Sequence, residues 1–204
     1  MSSQSLCGMM SLTETDAREI AQSLLPILLE YEHLQVLWNI KNQMETHQNE
    51  DVHSVIDTIS HLSHNRTRKL QLNVADIASL LAGEAISCIV HRGEAGLFHD
   101  ALTSGVPQLL LPKWERNYDY AVQAEWLGVR KWANRAHSPL IANGELTAAL
   151  RNILNQQGEG VRISQQAKEF LEKNLMTVLG EKVSRDRRLG SDDTAIVVSV
   201  NDQT

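Results

Sequence analysis

The chain has 204 residues, enough for one well-buried domain and tight for two. Hydrophobic residues make up 42% and charged residues 22%, the balance of a globular protein, and the formal net charge of -6 supplies no basic field to recruit nucleic acid or an anionic membrane. No apolar run reaches the roughly 18 residues of an integral membrane segment. Met1 to Met10 carries no basic and apolar leader pattern. Cys7 and Cys88 form no disulfide framework, so a cytoplasmic protein is expected.

Residues 1–10 read as a loose N-terminal segment, 11–180 as one domain and 181–204 as a tail. Ser11-Leu12-Thr13-Glu14 has the pattern of a capping box. Ala17, Ile20, Ala21, Leu24, Leu25 and Leu28 follow at helical spacing. Pro26 is expected to kink or end that helix. Gln35 to Ile40 is a short β-prone run that predicts a buried strand. Residues 41–68 are polar and read as a surface excursion, in which Val52, Val55, Ile56 and Ile59 predict one weak amphipathic helix. His61 and His64 have no cysteine or further ligand at tight spacing, so no metal site is expected there.

Order returns with a short strand at Leu70 to Leu72 and a helix from Asp76 to Leu81, stopped by Gly83. A strand at Ile86 to Val90, a loop at His91 to Gly96 and a helix at Leu97 to Thr103 come next. Gln108 to Leu111 predicts a strand, Asp119 to Leu127 a helix ended by Gly128, and Val129 to Trp132 another strand. Helices follow from Glu145 and from Gly160, and Ala195 to Val200 is a β-prone stretch without an evident role. Lys182, Arg185, Arg187 and Arg188 alternate with Asp186 and read as a solvated surface segment. Strands alternating with helices imply βαβ units, hence an α/β fold: a Rossmann-like parallel sheet with helices on both faces.

The loop His91-Arg92-Gly93-Glu94-Ala95-Gly96 is the informative unit. Open parallel sheets bind ligands beyond the C-terminal ends of their strands. A helix N-terminus there presents unpaired N–H groups and partial positive charge, which suits a phosphate. Gly93 and Gly96 would let a ligand approach the backbone. A plain tight turn is the alternative. No Gly-x-x-x-x-Gly-Lys-Ser/Thr and no Gly-x-Gly-x-x-Gly is present, which argues against ATP and NAD.

From Ile86 to Val129 the residues resemble the donor-binding signature of UDP-glycosyltransferases of the two-domain GT-B type. That signature runs His-His-Gly-Gly-Ala-Gly/Asn-Thr/Ser, then Ala-Leu, Gly-x-Pro, an apolar strand ending in Pro, and an acidic-Gln pair. Its counterparts are His91 to Leu97, Ala101-Leu102, Gly105-Val106-Pro107 and Leu109-Leu110-Leu111-Pro112. Trp114 to Ala121, Glu125 to Val129 and Gln35 to Trp38 resemble the fungal branch in particular, and the element order matches from about Gly8 to Leu179. The resemblance implies the C-terminal, donor-binding half of such an enzyme. It also implies a UDP-sugar donor, inverting transfer of a hexose to a small lipophilic acceptor, and no metal or other cofactor.

On this resemblance His91, Arg92, Gly93, Glu94, Ala95 and Gly96 hold the donor diphosphate, and Arg116 and Asn117 line the sugar pocket. The motif departs from the family's. Arg92 stands for a histidine, Glu94 for a glycine and Leu97 for a hydroxyl residue. An arginine grips phosphate well. A carboxylate about 4 Å from a phosphate opposes binding by on the order of 4 kcal/mol at an effective dielectric near 20. Arg92 and Glu94 could instead pair with each other. Arg116 replaces a carboxylate that accepts from sugar hydroxyls, and an arginine accepts no hydrogen bond. That favours a uronic acid donor or a decayed site.

In the family the N-terminal domain supplies the catalytic histidine, and none of this chain's histidines aligns with it; His91, His99 and His137 are nearest the expected cleft. No catalytic residue is therefore assigned. A truncated protein with a degenerate donor motif is expected. It would act only with a separate acceptor-binding chain, or persist as an inactive homologue serving as an interaction module or relic.

Overall fold

The computed structural model describes residues 4–9, 13–39, 47–70, 74–83, 86–155, 157–181 and 195–200, with β1 and β7 below described by their backbone alone. The chain alternates strand and helix: β1 (Gln4–Met9), α1 (Glu14–Glu30), β2 (Leu34–Asn39), α2 (His47–Leu62), β3 (Thr67–Leu70), α3 (Val74–Leu81) and β4 (Cys88–His91) come first. They are followed by α4 (Ala95–Thr103), β5 (Gln108–Leu110), α5 (Glu115–Leu127), β6 (Arg130–Trp132), α6 (Asn143–Leu154), α7 (Glu159–Glu181) and β7 (Ala195–Val200).

The strands form one seven-stranded sheet in the order β3-β2-β1-β7-β4-β5-β6. Strand β7 runs antiparallel to its neighbours, and every other pairing is parallel. Strand β1 also bridges directly to β2 and to β4, so the parallel strands alone read 3-2-1-4-5-6, the order of a doubly wound Rossmann-like sheet. The order reverses between β1 and β4, where such sheets hold ligands.

Period-two alternation along the strands sends side chains to opposite faces. Val36, Trp38, Cys88, Val90 and Leu109 join α1, α2 and α6 in one core, whereas Ile89 joins Ile77, Leu97 and Ala101 in another beneath α3 and α4. Cys88 is buried, as a small core residue. The expected α/β architecture, with helices on both faces, is the observed one.

Several expectations need correction. The cap of α1 is Thr13: its hydroxyl accepts from Asp16 N, and Asp16 accepts in turn from Thr13 N. Ser11 and Leu12 lie outside the described residues. Pro26 does not end α1, which runs on to Glu30. Residues 22 and 26 are both exposed, so the carbonyl that loses its N–H partner faces water, while buried Leu24, Ile27 and Leu28 hold the helix to the sheet.

Residues 41–68 are more than a surface excursion. Val52, Ile56 and Ile59 of α2 are buried in the main core beside α1. The sequence signal was weak because only five of the sixteen residues of this helix are apolar, Val52, Val55, Ile56, Ile59 and Leu62. Strand β3 precedes the expected Leu70–Leu72, since Thr67 to Leu70 are the residues in register with β2. Gln71 to Asn73 lie outside the described residues.

Residues 4–9 and 195–200, expected in a loose segment and a tail, are strands of the sheet. A parallel sheet with β2 and β4 on either side of a gap would leave backbone groups unpaired, and β1 and β7 supply their partners. The basic residues 182–188 lie outside the described residues.

Candidate functional site

Three βα junctions meet at the C-terminal edge of the sheet: the first turn of α1, the loop after β4, and the segment from β5 to α5. Hydrogen bonds and one close backbone approach tie them together. Gly93 has φ +96°, a region that L side chains rarely adopt, and a Cβ placed on it would lie 3.1 Å from the carbonyl oxygen of Asn117. The motif loop and the start of α5 are therefore adjacent, and the expected site residues His91 to Gly96 and Arg116-Asn117 do come together. Gly93 is explained by this packing. Gly96, in the first turn of α4, has nothing within 4 Å of its Cβ position and is the glycine open to an approaching group.

His91 is fully buried and holds the loop through a short relay. Its Nδ1 accepts from Gly93 N at 3.1 Å, so the proton sits on Nε2, which donates to Gln108 Oε1 at 2.8 Å. Gln108 Nε2 then donates to the Phe98 carbonyl at 3.3 Å. With Nδ1 an acceptor, its 3.6 Å separation from Glu94 Oε2 is not an ion pair. His91 is thus a structural tie between β4, β5 and α4.

The Arg92 guanidinium does not pair with the Glu94 side chain. It turns to Asp16, with Nη2 2.9 Å from Oδ2 and the side chain 2% exposed. Lys113 Nζ lies 2.7 Å from the same oxygen. Burial by itself pushes the Asp16 carboxyl up, but the hydrogen bond from Lys113 and the charges of Arg92 and Lys113 outweigh it and hold the group below the usual carboxylate range. Burial also lowers the Arg92 guanidinium, offset in part by Asp16 and Glu94. Asp16 and Lys113 were not singled out in the sequence. An acid three residues after a threonine is ordinary capping chemistry, and a lysine after Pro112 carries no motif.

Glu94 is the N-cap of α4, yet its side chain makes no capping bond. It accepts from Arg92 N at 3.2 Å. The first-turn amides at Ala95 and Gly96 are at an exposed helix start, the geometry that receives an anion. Asn117 is buried, and its Oδ1 accepts from Trp114 N at 3.3 Å, which caps α5. Its side chain therefore serves the helix, whereas Arg116 and Trp114 are exposed at the rim.

Of the other histidines near this edge, His137 is exposed and bonded to Glu145, and His99 is exposed with its ring against Phe98. Among the described residues no group of His, Cys, Asp or Glu is arranged to hold a metal ion, and no helix is long and apolar enough to cross a membrane. A groove of about 340 Å³ between α1 and α2, lined by Leu25, Val55, Ile59 and Leu62, belongs to the flank of the sheet and not to this edge.

No family model matches the chain. Solved structures share its fold. It superposes on the UDP-glucose: anthocyanidin 3-O-glucosyltransferase in complex with UDP with a TM-score of 0.65 at 13% identity, covering 85% of this chain and 35% of that one. For Os79 from O. sativa in complex with UDP the TM-score is 0.64 at 14% identity, covering 80% and 33%. Both are GT-B enzymes. The chain has the fold of a partial GT-B glycosyltransferase domain.

Curated relatives agree. The glycosyltransferase sdnJ of Sordaria araneosa is 32% identical over 104 residues, 50% of this chain and 20% of that protein. Erythritol-mannosyl-transferase 1 of Mycosarcoma maydis is 28% identical over 95 residues, 47% of this chain and 15% of that protein. The chain thus spans a fifth or less of the length of these relatives.

Proposed function

We propose that the chain is the donor-binding half of a UDP-glycosyltransferase. In this reading it seats a UDP-sugar at the C-terminal edge of the sheet and transfers a hexose to a small lipophilic acceptor only with an acceptor-binding chain. The observation that carries the reading is the contact of Gly93 with Asn117, which joins the start of α4 to the start of α5 beside the β1–β4 switch point. The exposed first turn of α4 would receive the diphosphate on the amides of Ala95 and Gly96. Arg116 at the rim would face the sugar, where a guanidinium suits a carboxylated hexose better than a neutral one. The general base would come from the acceptor-binding chain, since the buried His91 has both ring nitrogens engaged.

Calorimetric titration with UDP, UDP-glucose and UDP-glucuronate tests this. Micromolar to millimolar binding of UDP is expected, with UDP-glucuronate the tighter sugar nucleotide. Equal binding of the two sugars removes the Arg116 assignment, and no binding of UDP at millimolar concentration removes the donor reading.

A second reading is favoured by one specific observation: the Arg92 guanidinium is directed to Asp16. On that reading the chain is a catalytically inactive homologue acting as an interaction module. Folded protein that binds no UDP-sugar, alone or with an acceptor-binding chain, is its expected signature.

A further inference from the structure

The Asp16 ion triad spans all three junctions at the sheet edge. Asp16 is in the first turn of α1, Arg92 directly follows β4, and Lys113 follows β5. One carboxylate oxygen, Oδ2, serves both cations, at 2.9 Å from Arg92 Nη2 and 2.7 Å from Lys113 Nζ. That single-oxygen arrangement leaves Arg92 Nε buried with no hydrogen-bond partner. A guanidinium meets an oxyanion best through two parallel N–H···O bonds, and a buried orphan donor is unfavourable. The triad therefore holds two cations and an anion that satisfies them incompletely. A diphosphate presents several oxygens on two phosphorus atoms and could serve Nε, Nη2 and Nζ together.

We propose that Asp16 is an internal stand-in for the donor's diphosphate, holding Arg92 and Lys113 and so lowering the affinity of this edge for phosphate anions. The inference rests on the donor-site reading above. It makes Asp16 a positioning residue that acts through two cations, and it makes the site one that is restrained by its own carboxylate and opens when that carboxylate is displaced. Glu94, bonded to Arg92 N beside the start of α4, adds a second fixed negative charge to the same edge.

The test uses the full chain as wild type, Asp16→Asn, Arg92→Met and the Asp16→Asn/Arg92→Met double variant, each confirmed folded by its melting curve. Each is titrated by calorimetry with UDP and with inorganic pyrophosphate at low and high salt. Asp16→Asn is expected to bind both ligands about tenfold more tightly than wild type at low salt, with a steeper salt dependence. The double variant is expected to exceed Arg92→Met, through Lys113 alone. If Asp16→Asn does not fold, that second pair carries the comparison, because it leaves no buried unpaired guanidinium.

Unchanged or weaker anion binding on removing Asp16 overturns the proposal. A gain for pyrophosphate without any UDP binding keeps it and removes the nucleotide reading. Wild-type UDP binding that Asp16→Asn leaves unaltered does the reverse. No binding of either anion to any variant overturns both.

Discussion

Replacing Gln108 by leucine probes the relay that holds the motif loop. Gln108 and His91 are both fully buried. Leucine has a similar volume, so little cavity term arises. The change removes the acceptor of His91 Nε2–H, which stays buried at 2.8 Å from where Oε1 was, and it removes the donor to the Phe98 carbonyl. An orphaned buried donor costs about 1–3 kcal/mol, and the long second bond adds roughly 0.5 kcal/mol. The expected loss is about 1.5–3.5 kcal/mol, or roughly 3–14 °C in Tm at about 2–4 °C per kcal/mol for a chain of this size. Urea unfolding followed by circular dichroism measures it, with the midpoint shifting at constant slope. His91→Phe in the same background is expected to show coupling, the double loss falling short of the sum by about 1 kcal/mol. A Gln108→Leu change below about 0.5 kcal/mol refutes the relay as drawn.

The two motif glycines should behave oppositely. Gly93→Ala meets a φ of +96° and the Asn117 carbonyl, and is expected to destabilise by about 1–3 kcal/mol in the same unfolding assay. Gly96→Ala meets open space in a helical turn and is expected to stabilise by about 0.4–1 kcal/mol while weakening UDP binding. Ile56→Ala is expected to cost about 2–5 kcal/mol, because Ile56 is fully buried against α1, and a surface-like value below about 1 kcal/mol contradicts the core placement of α2. The depressed folded pKa of Asp16 means its stabilisation is present above the ordinary carboxylate value of 3.8 and fades as pH falls through the lower folded value. Asp16→Asn should therefore flatten the stability profile in that acid window, and an unchanged profile contradicts the ion triad.

The alternation of elements was legible mainly through the central strands β2, β4 and β5, which are short and largely apolar. Gly128 ends α5 in a left-handed cap, as its place after Leu127 suggested. The adjacency of the two motif halves followed from the family resemblance, and Gly93 against Asn117 gives it a physical basis. What could not be read was tertiary. Nothing local marks Pro26 as tolerable until its neighbours Leu24 and Ile27 are seen to be buried. The partner of Arg92 is an acid 76 residues away on α1, whereas the sequence offered the donor diphosphate or, as an alternative, Glu94. Likewise nothing local showed that Asn117, which the resemblance places in the sugar pocket, caps α5 through its Oδ1.

The most direct test of the account is a backbone amide NMR titration of the folded chain with UDP. The account expects the largest shifts at Ala95, Gly96 and Leu97, with Gly93 and Asn117 following because they are packed together. Shifts confined to the α1–α2 groove, or none at millimolar UDP, contradict a donor site at the C-terminal edge of the sheet.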